Sequence, residues 1–435
     1  MSTAVPLAAP HAHRPGTIRA ALSYRDFRIL FIGSTMSNVG TWMQNFTLPA
    51  YVDDRTHSAA LVGALAFAQL GPQLLLSIPA GALADRVSRT KLVLYMQVVM
   101  LTMSLALALL AARTAPIWAL FTVQLGVGVA SALQAPAFSA SLPMMVSRAD
   151  LPGAVSLNSA QINGSRILGP ALAALLAAVG LSLPQLFVAN SLTYVFLIVP
   201  LLFIGLPQPA RGLAAAGVRA FTVGMRTARN RGVLWRTLAT MCLFSLICLP
   251  YIGLFPSVAR LNFGIESTSG TYKALYIVWG FGAFLGALGI GSWLAHHDKR
   301  RLTRWGLGGF AVCLATFALI SNATLAFPIA ALLGFAYFTV ATALASIFQQ
   351  NLANSERGTV MPLWFMAFGG TVPIGTLIAG PIVDHVGARW VMLAGAVFAL
   401  VLAETFDLRR LVQHHFLPEE DGGEPFVALD ADRWF

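Results

Sequence analysis

Apolar residues in this chain fall into long runs that are separated by short charged or Gly/Pro-containing breaks. Each run approaches the roughly 20 residues that a helix needs to cross the hydrocarbon core of a bilayer. The pattern therefore predicts an all-α integral membrane protein with twelve transmembrane helices. We number them as spans 1 to 12, at 27–52, 59–83, 91–112, 116–146, 152–180, 185–206, 232–258, 271–295, 303–321, 326–353, 359–384 and 389–411.

The longest break divides the spans into two groups of six. We predict a cytoplasmic N-terminal segment (1–26), an N-terminal six-helix bundle (27–206), a cytoplasmic linker (207–231), a C-terminal six-helix bundle (232–411) and an acidic cytoplasmic tail (412–435). The arginine-rich linker has the pattern of a short amphipathic surface helix from Val218 onward. A weak internal repeat supports the division, because ILGP at 167–170 in span 5 resembles IAGP at 378–381 in span 11.

Composition and charge agree with lipid as the solvent of this chain. Of its 435 residues 57% are hydrophobic and only 10% charged, whereas globular domains carry roughly 25% charged residues. The net charge of +11 does not indicate nucleic acid, because most of the 28 Lys and Arg residues fall on the predicted cytoplasmic segments. The exceptions are Arg55, Arg113, Arg260, Lys273 and Arg389 near the outer side, and Arg166 inside span 5. We therefore predict a multi-pass protein of the cell membrane with both termini in the cytoplasm.

The sequence carries none of the common catalytic or metal-binding patterns. Its three cysteines, Cys242, Cys248 and Cys313, lie within apolar spans and make no CxxC or metal spacing. GxxxxGK[ST] and HExxH are also missing from the sequence. We predict that the protein is not an enzyme and has no catalytic residues, cofactor or metal.

The loop between spans 2 and 3 carries the most specific motif. Residues 81–91 read GALADRVSRTK and resemble the major facilitator signature GxLaDrxGrk in position and in letters. The resemblance implies a latch between the two bundles on the cytoplasmic face, with the acidic group near the start of span 11, about 358–364. We expect Gly81 to permit close helix approach and Ser88, where the family has its second glycine, to loosen the turn. The gating residues are then Gly81, Asp85, Arg86, Arg89 and Lys91, and the alternative is a set of solvated loop charges.

Further stretches resemble one branch of that superfamily over roughly residues 20–412. They are YRDFR at 24–28, GTWMQ at 40–44, the turn at 56–58, RGTVM at 357–361 and PIG at 373–375. These resemble the transmembrane secretion effectors, which include enterobactin exporters. The resemblance implies two pseudo-symmetric six-helix bundles that work by alternating access. The chain departs from the multidrug antiporters, because span 4 has FTVQLG at 121–126 without their arginine.

In the fold that the resemblance implies, spans 1, 4, 7 and 10 line a central cavity and should carry polar stripes. Span 5 adds Arg166, the one charge deep in a span, where centring an arginine costs at least about 2.5 kcal/mol. Asn163 is placed to orient it, and an anionic or strongly polar substrate group would fit. The alternatives are hydrogen bonds between helices and a snorkelling structural arginine. The cavity candidates are Asn38, Trp42, Asn45, Gln124, Asn163, Arg166, Tyr251 and Gln349.

No acidic residue is placed at mid-membrane, so the sequence does not identify a coupling group. Asp53 and Asp54, at the outer end of span 1, are candidates for a shallow proton site, and loop solvation is the favoured alternative. Glycines predict close helix seams. We expect Gly63 and Gly71 of span 2 to face Gly370, Gly375 and Gly380 of span 11, and the glycines at 280–291 in span 8 to face span 5.

Together these features predict a proton-coupled exporter of a small amphipathic metabolite, siderophore-like or drug-like molecule. Its expected partners are a small-molecule substrate, the proton gradient and membrane lipid, and it is expected to be a monomer that binds no nucleic acid. The rival functions are a non-transporting membrane sensor or receptor and a lipid-moving protein on the same fold.

Overall fold

The computed structural model describes residues 13–208, 218–353 and 356–405, and this part of the chain is helical almost throughout, without a β-strand. Each predicted span corresponds to one helix or to a consecutive group of helices. The helices are α1 (Ile18–Ser23), α2 (Arg25–Thr56), α3 (Ala59–Arg86), α4 (Arg89–Ala112), α5 (Ile117–Ser141), α6 (Leu151–Ala178), α7 (Leu183–Phe203), α8 (Val218–Asn230), α9 (Gly232–Leu243), α10 (Pro250–Gly253), α11 (Phe255–Phe263), α12 (Gly270–Gly291), α13 (Lys299–Leu319), α14 (Ala323–Gln350), α15 (Arg357–Phe365), α16 (Thr371–Val386) and α17 (Ala388–Thr405).

The helices confirm an all-α membrane fold. Among the described residues, nine helices are long and apolar enough to cross a membrane, or ten if the bent pair Phe221–Asn230 and Gly232–Cys248 is one span. α2 and α6 are not among the nine. α2 buries several polar side chains, including Ser34, Gln44 and Asp53, and such residues are tolerated in a membrane helix only where they face protein or water. The count of twelve stays a prediction.

Two predicted spans are broken in the structure. Span 7 is divided into α9, a π-helix (Phe244–Cys248), α10 and α11. Pro250 and Pro256 stand at the starts of α10 and α11, where a residue without an N–H group is tolerated. Span 11 is divided into α15, a π-helix (Met366–Gly370) and α16. Span 7 is thus interrupted around Pro250 and Pro256, whereas residues 359–386 of span 11 still form one helix long and apolar enough to cross a membrane.

Some predicted segments fall outside the described residues. These are residues 1–12 of the N-terminal segment, 209–217 of the linker, 406–411 of span 12 and the whole of the predicted tail. Within the linker a helix begins at Val218, as the amphipathic pattern predicts.

The described chain forms two units. Unit 1 comprises residues 13–56, 67–208 and 268–277, and unit 2 comprises 57–66, 218–267, 278–353 and 356–405. The predicted bundles stay a prediction. The units differ from the predicted bundles in two short segments. Residues 57–66 of the predicted N-terminal bundle belong to unit 2, and residues 268–277 of the predicted C-terminal bundle belong to unit 1.

Glycines bring helices of unit 1 into close contact. A Cβ at Gly40 of α2 would collide with Asn190 and Thr193 of α7, and one at Gly169 of α6 would lie 2.6 Å from the Cβ of Trp42. Both positions therefore require glycine. The close approach places the polar residues of α2 directly against α6 and α7.

Glycines also define the seams of unit 2, although not all of those predicted. A Cβ at Gly63 of α3 would lie 2.5 Å from the carbonyl oxygen of Thr376 in α16, so the predicted span 2–span 11 seam is confirmed there. Gly375 faces the carbonyl of Leu246 instead, which corrects that part of the prediction. Gly282 and Gly286 of α12 face the backbone of α14, so the expectation that they face span 5 was wrong.

The described start of the chain is tied to α6 by Asp150. The Oδ1 atom of Asp150 accepts a hydrogen bond from the Gly16 N–H group at 3.1 Å, and Oδ2 accepts one from the Tyr24 hydroxyl at 2.8 Å. Asp150 directly precedes α6. The YRDFR stretch at 24–28 therefore contributes an anchor for α1.

Candidate substrate and gating sites

One face of α2 remains partly open to solvent within unit 1. Asn38, Trp42 and Asn45 are half-buried, whereas Met43, Gln44 and most neighbouring positions are buried. The spacing of four and three residues puts these three side chains on one helical face, as the sequence predicts. The face offers two amides and an indole to a ligand.

Arg166 of α6 lies against this face. Its guanidinium carbon is 5.1 Å from the centroid of the Trp42 ring, a cation–π arrangement. Gly169, one turn along α6, permits the approach because a Cβ there would meet the backbone of Met43. Arg166 is half-buried, so its charge is not enclosed by protein. The side chain of Asn163 lies outside the described part of the chain, and its orienting role stays a prediction.

Gln124 of α5 belongs to a buried polar cluster. It is 1% exposed, and its Oε1 accepts a hydrogen bond from Gln44 Nε2 at 2.9 Å. Its own amide donates to Asn45 Oδ1 at 3.5 Å. Asn190 of α7 donates to Gln44 Oε1 at 2.7 Å, and the Ser104 hydroxyl of α4 donates to the same oxygen at 2.9 Å. Sequence reasoning missed this cluster, although Gln44 lies within the quoted GTWMQ stretch.

Tyr251 stands at the break between α9 and α11 and is 3% exposed. Its hydroxyl accepts a hydrogen bond from Trp279 Nε1 at 3.2 Å. Trp279 also stacks on Tyr337 with ring centroids 6.1 Å apart. Tyr251 therefore forms part of an aromatic cluster inside unit 2.

Gln349 lies in the last turn of α14 and is exposed. The polar residues before it bond mainly to their own helix, because Thr339 donates to the carbonyl of Phe335 and Ser346 to that of Thr342, both at 2.8 Å. A substrate contact at Gln349 stays a prediction for the end of this helix.

The two coupling candidates differ sharply in environment. Asp53 is 0% exposed in the last turns of α2, close enough to the Tyr272 phenol for the two groups to interact electrostatically. Phe46 stacks on the Tyr272 ring with centroids 5.3 Å apart. Asp54 is exposed and accepts a hydrogen bond from the Thr268 hydroxyl at 3.4 Å. Loop solvation describes Asp54, but it was the wrong interpretation for Asp53.

The signature loop joins α3 to α4 in unit 1. Arg89 is 5% exposed, pairs with Asp85 at 3.4 Å and donates to the carbonyl oxygen of Pro207 at 3.4 Å. Arg89 therefore anchors the loop to the chain after α7. Arg86 and Lys91 are exposed.

Two expectations for this loop were wrong. Among the described residues nothing lies within 4 Å of a Cβ built at Gly81, so this glycine serves no close helix approach here. The Ser88 hydroxyl accepts a hydrogen bond from the Lys91 N–H group at 3.4 Å, which caps α4. Ser88 therefore stabilises the turn. A latch between Asp85 and α15 stays a prediction.

Comparison with known proteins assigns this arrangement to a family. The model of the transmembrane secretion effector family matches residues 17–432. The chain belongs to that family of major facilitator transporters, which confirms the resemblance carried by the loop signature.

Two relatives illustrate the family. The chain is 27% identical over 374 residues to the staphyloferrin A transporter of Staphylococcus aureus, covering 83% of this chain and 90% of that protein. It is 21% identical over 411 residues to macrolide efflux protein A of Streptococcus pyogenes, covering 88% of this chain and 97% of that protein. Both relatives are named as transport proteins rather than enzymes.

Solved structures share the fold. A point variant of the nucleoside transporter NupG superposes with a TM-score of 0.71 at 14% identity, over 88% of this chain and 99% of that chain. A bacterial homologue of the human lysosomal transporter Spinster gives 0.67 at 15% identity, over 89% and 96%. With the family match, the fold identifies the protein as a multi-pass membrane transporter of the major facilitator type.

Proposed function

We propose that the protein exports a small amphipathic molecule with an anionic or strongly polar group, by alternating access driven by the proton gradient. The observation that carries the proposal is the Arg166 guanidinium stacked on Trp42, beside the half-buried amides of Asn38 and Asn45. Placing an arginine in a membrane helix costs free energy unless its charge faces water, a paired group or a ligand.

The chemistry of this surface suggests what it binds. A guanidinium presents a planar fork of donors that matches a carboxylate or phosphate, and an indole face accepts a flat or apolar group. Asn38 and Asn45 add neutral donors and acceptors on the same side. A substrate with an acidic group next to an apolar body satisfies all of these groups. The name of one relative, a macrolide efflux protein, supports export, and that of the other, a staphyloferrin A transporter, supports transport.

Asp53 is the coupling group of this proposal. A carboxylate that is fully buried beside an aromatic phenol pays a large desolvation cost when charged. Such a group is suited to bind and release a proton as its surroundings open and close. Asp54, exposed to solvent, is not.

The remaining parts of the proposal concern placement. The protein lies in the cell membrane as a monomer with both termini in the cytoplasm, and the linker and the Asp85 loop face the cytoplasm. This orientation follows from the basic residues between the spans. The two six-helix bundles are the moving parts.

Accumulation in everted membrane vesicles tests this function. Vesicles with and without the protein are energised and supplied with labelled amphipathic acids, their methyl esters and cationic analogues. We expect the protein to accumulate the acids, and an uncoupler to abolish the accumulation. Flux indifferent to the uncoupler would contradict proton coupling. Binding without flux would indicate a sensor, and transfer of lipid analogues alone would indicate a lipid-moving protein.

A further inference from the structure

We infer that Asp384 is a conformational latch, which holds the beginning of α3 against the end of α16 and releases it when the transporter changes state. The inference rests on the proposed alternating access and adds a gating residue to it. The sequence gives Asp384 no special motif, and the signature loop lies at the other end of α3.

Asp384 binds the first turn of α3 through three hydrogen bonds. Its Oδ1 atom accepts one from the N–H group of Ala59 at 2.7 Å. Its Oδ2 atom accepts one from the N–H group of Ala60 at 2.9 Å and one from the Ser58 hydroxyl at 2.8 Å. All four residues belong to unit 2.

These bonds complete the cap of α3. The first N–H groups of a helix have no partner inside the helix. Asp384 satisfies those of Ala59 and Ala60, and the Ser58 hydroxyl accepts from the N–H group of Leu61 at 3.3 Å. A negative carboxylate is also favoured at the positive end of the helix dipole. The cap of α3 is thus supplied by a residue 325 positions away.

The same carboxylate is badly placed for its own helix. Asp384 lies in the last turn of α16, which ends at Val386. The C-terminal end of a helix carries partial negative charge and favours cations over anions. Asp384 therefore destabilises an isolated α16 and becomes favourable only when α3 is docked. The stabilising effect of Asp384 therefore depends on whether α3 and α16 are in contact, which is the property required of a latch.

Next to Asp384, α3 and α16 pack closely through glycines, which have no side chains to interlock. A Cβ at Gly63 would lie 2.5 Å from the carbonyl oxygen of Thr376, and one at Gly380 would lie 2.6 Å from that of Ala59. Small residues allow helix backbones to meet without interlocking side chains. Within α3, residues 59–66 belong to unit 2 and the rest of the helix belongs to unit 1. The bonds to Asp384 break only if α3 moves as one rigid helix away from α16, and this is the movement that the inferred latch controls.

α3 thereby carries a carboxylate contact at each end. Its 28 residues extend about 42 Å at a rise of 1.5 Å per residue, enough to cross a bilayer. Asp85 stands at the far end, where the signature motif implies the other latch. Asp384 binds the N-terminal end of α3. The two carboxylates at opposite ends of α3 therefore stabilise opposite conformational states of the transporter.

A distance measurement that needs no substrate tests the latch. Spin labels are attached at Leu61 of α3 and Val386 of α16, two exposed positions, after replacement of the native cysteines by alanine. Double electron–electron resonance in nanodiscs compares the labelled parent with Asp384→Ala and Asp384→Asn. Asp298→Ala is the matched control, because Asp298 caps its own helix, α13, through the Arg300 N–H group at 2.9 Å.

We expect the parent to show mainly the short distance. Asp384→Ala should raise the ratio of long- to short-distance populations about fivefold, the equilibrium effect of losing one good helix cap. Asp384→Asn keeps an acceptor oxygen and should shift the ratio less, and Asp298→Ala should not shift it. A parent that shows only the long distance, or unchanged distributions in both Asp384 variants, would overturn the latch even if vesicles show flux. A shifted ratio in a protein without flux would support the latch and contradict the proposed transport instead.

Discussion

Asn190 of α7 donates a hydrogen bond to the Oε1 atom of Gln44 of α2 at 2.7 Å, in the interior of unit 1. Ser104 of α4 donates to the same oxygen, and Gln44 in turn donates to Gln124 of α5. Four helices therefore meet in one cluster of neutral polar side chains. Because lipid gives no hydrophobic drive for helix association, such bonds and close packing hold membrane helices together.

Removing a member of this cluster should destabilise the protein. We expect Ser104→Ala to cost about 1 to 3 kcal/mol, since Gln44 and Asn190 lose a buried partner. The control is Thr102→Ala on the same helix, because the Thr102 hydroxyl is exposed and donates to the carbonyl of Val99 in its own helix. Thermal unfolding in detergent compares the two variants. Equal melting temperatures would contradict a stabilising role for the cluster.

Two glycine substitutions should have opposite effects on stability. Gly282→Ala places a Cβ against the backbone of Ala331 in α14, and overpacking of this kind costs about 1 to 3 kcal/mol. Gly308→Ala meets nothing within 4 Å among the described residues and replaces a poor helix former, so it should gain a few tenths to about 1 kcal/mol. Melting temperatures of the purified variants measure both. A Gly282→Ala variant as stable as Gly308→Ala would disprove the α12–α14 seam.

The fold was largely predictable from the sequence, and the reasons are physical. Lipid forces each membrane segment to be a helix with its backbone hydrogen bonds satisfied internally. Runs of apolar residues therefore located α4 and α7 to within a few residues. The breaks within spans 7 and 11 were less predictable, since a π-helix depends on how neighbouring helices pack and has no strong local pattern.

The site was predictable only where one helix decides the geometry. The face of Asn38, Trp42 and Asn45 follows from helical spacing alone. The contact of Tyr24 with Asp150 joins residues 126 positions apart, and nothing in either local pattern marks the pairing. The burial of Asp53 was missed for the same reason, because Tyr272, with which it interacts electrostatically, comes from α12.

Proton coupling should depend on Asp53 and not on its neighbour. We expect Asp53→Asn to abolish accumulation against a gradient while substrate exchange across the membrane continues, because the side chain keeps its shape and loses its proton site. Asp54→Asn, at the exposed adjacent position, should retain accumulation. Vesicle uptake with and without an uncoupler measures both. Uncoupler-sensitive accumulation by the Asp53 variant would exclude Asp53 as the coupling group.

Substrate selectivity should depend on the planar charge of Arg166. Arg166→Gln should lower kcat/KM for an acidic substrate about 10- to 100-fold, the usual effect of losing a hydrogen bond to a charged group. Arg166→Lys keeps the charge without the planar fork and should recover only part of the loss. The control is Arg304→Gln, since Arg304 forms a solvent-accessible ion pair with Glu404 at 2.7 Å. A similar loss in the Arg304 variant would point to a general effect on folding.

The most direct test is uptake by the purified protein in proteoliposomes, with an amphipathic acid and its methyl ester offered together under an imposed proton gradient. We expect uptake of the acid at least about tenfold above the ester in the native protein, abolished by an uncoupler, and equal slow uptake of both in Arg166→Gln. Uptake that ignores the gradient, or that favours the acid equally in both proteins, would contradict a proton-driven exporter that binds its substrate at Arg166.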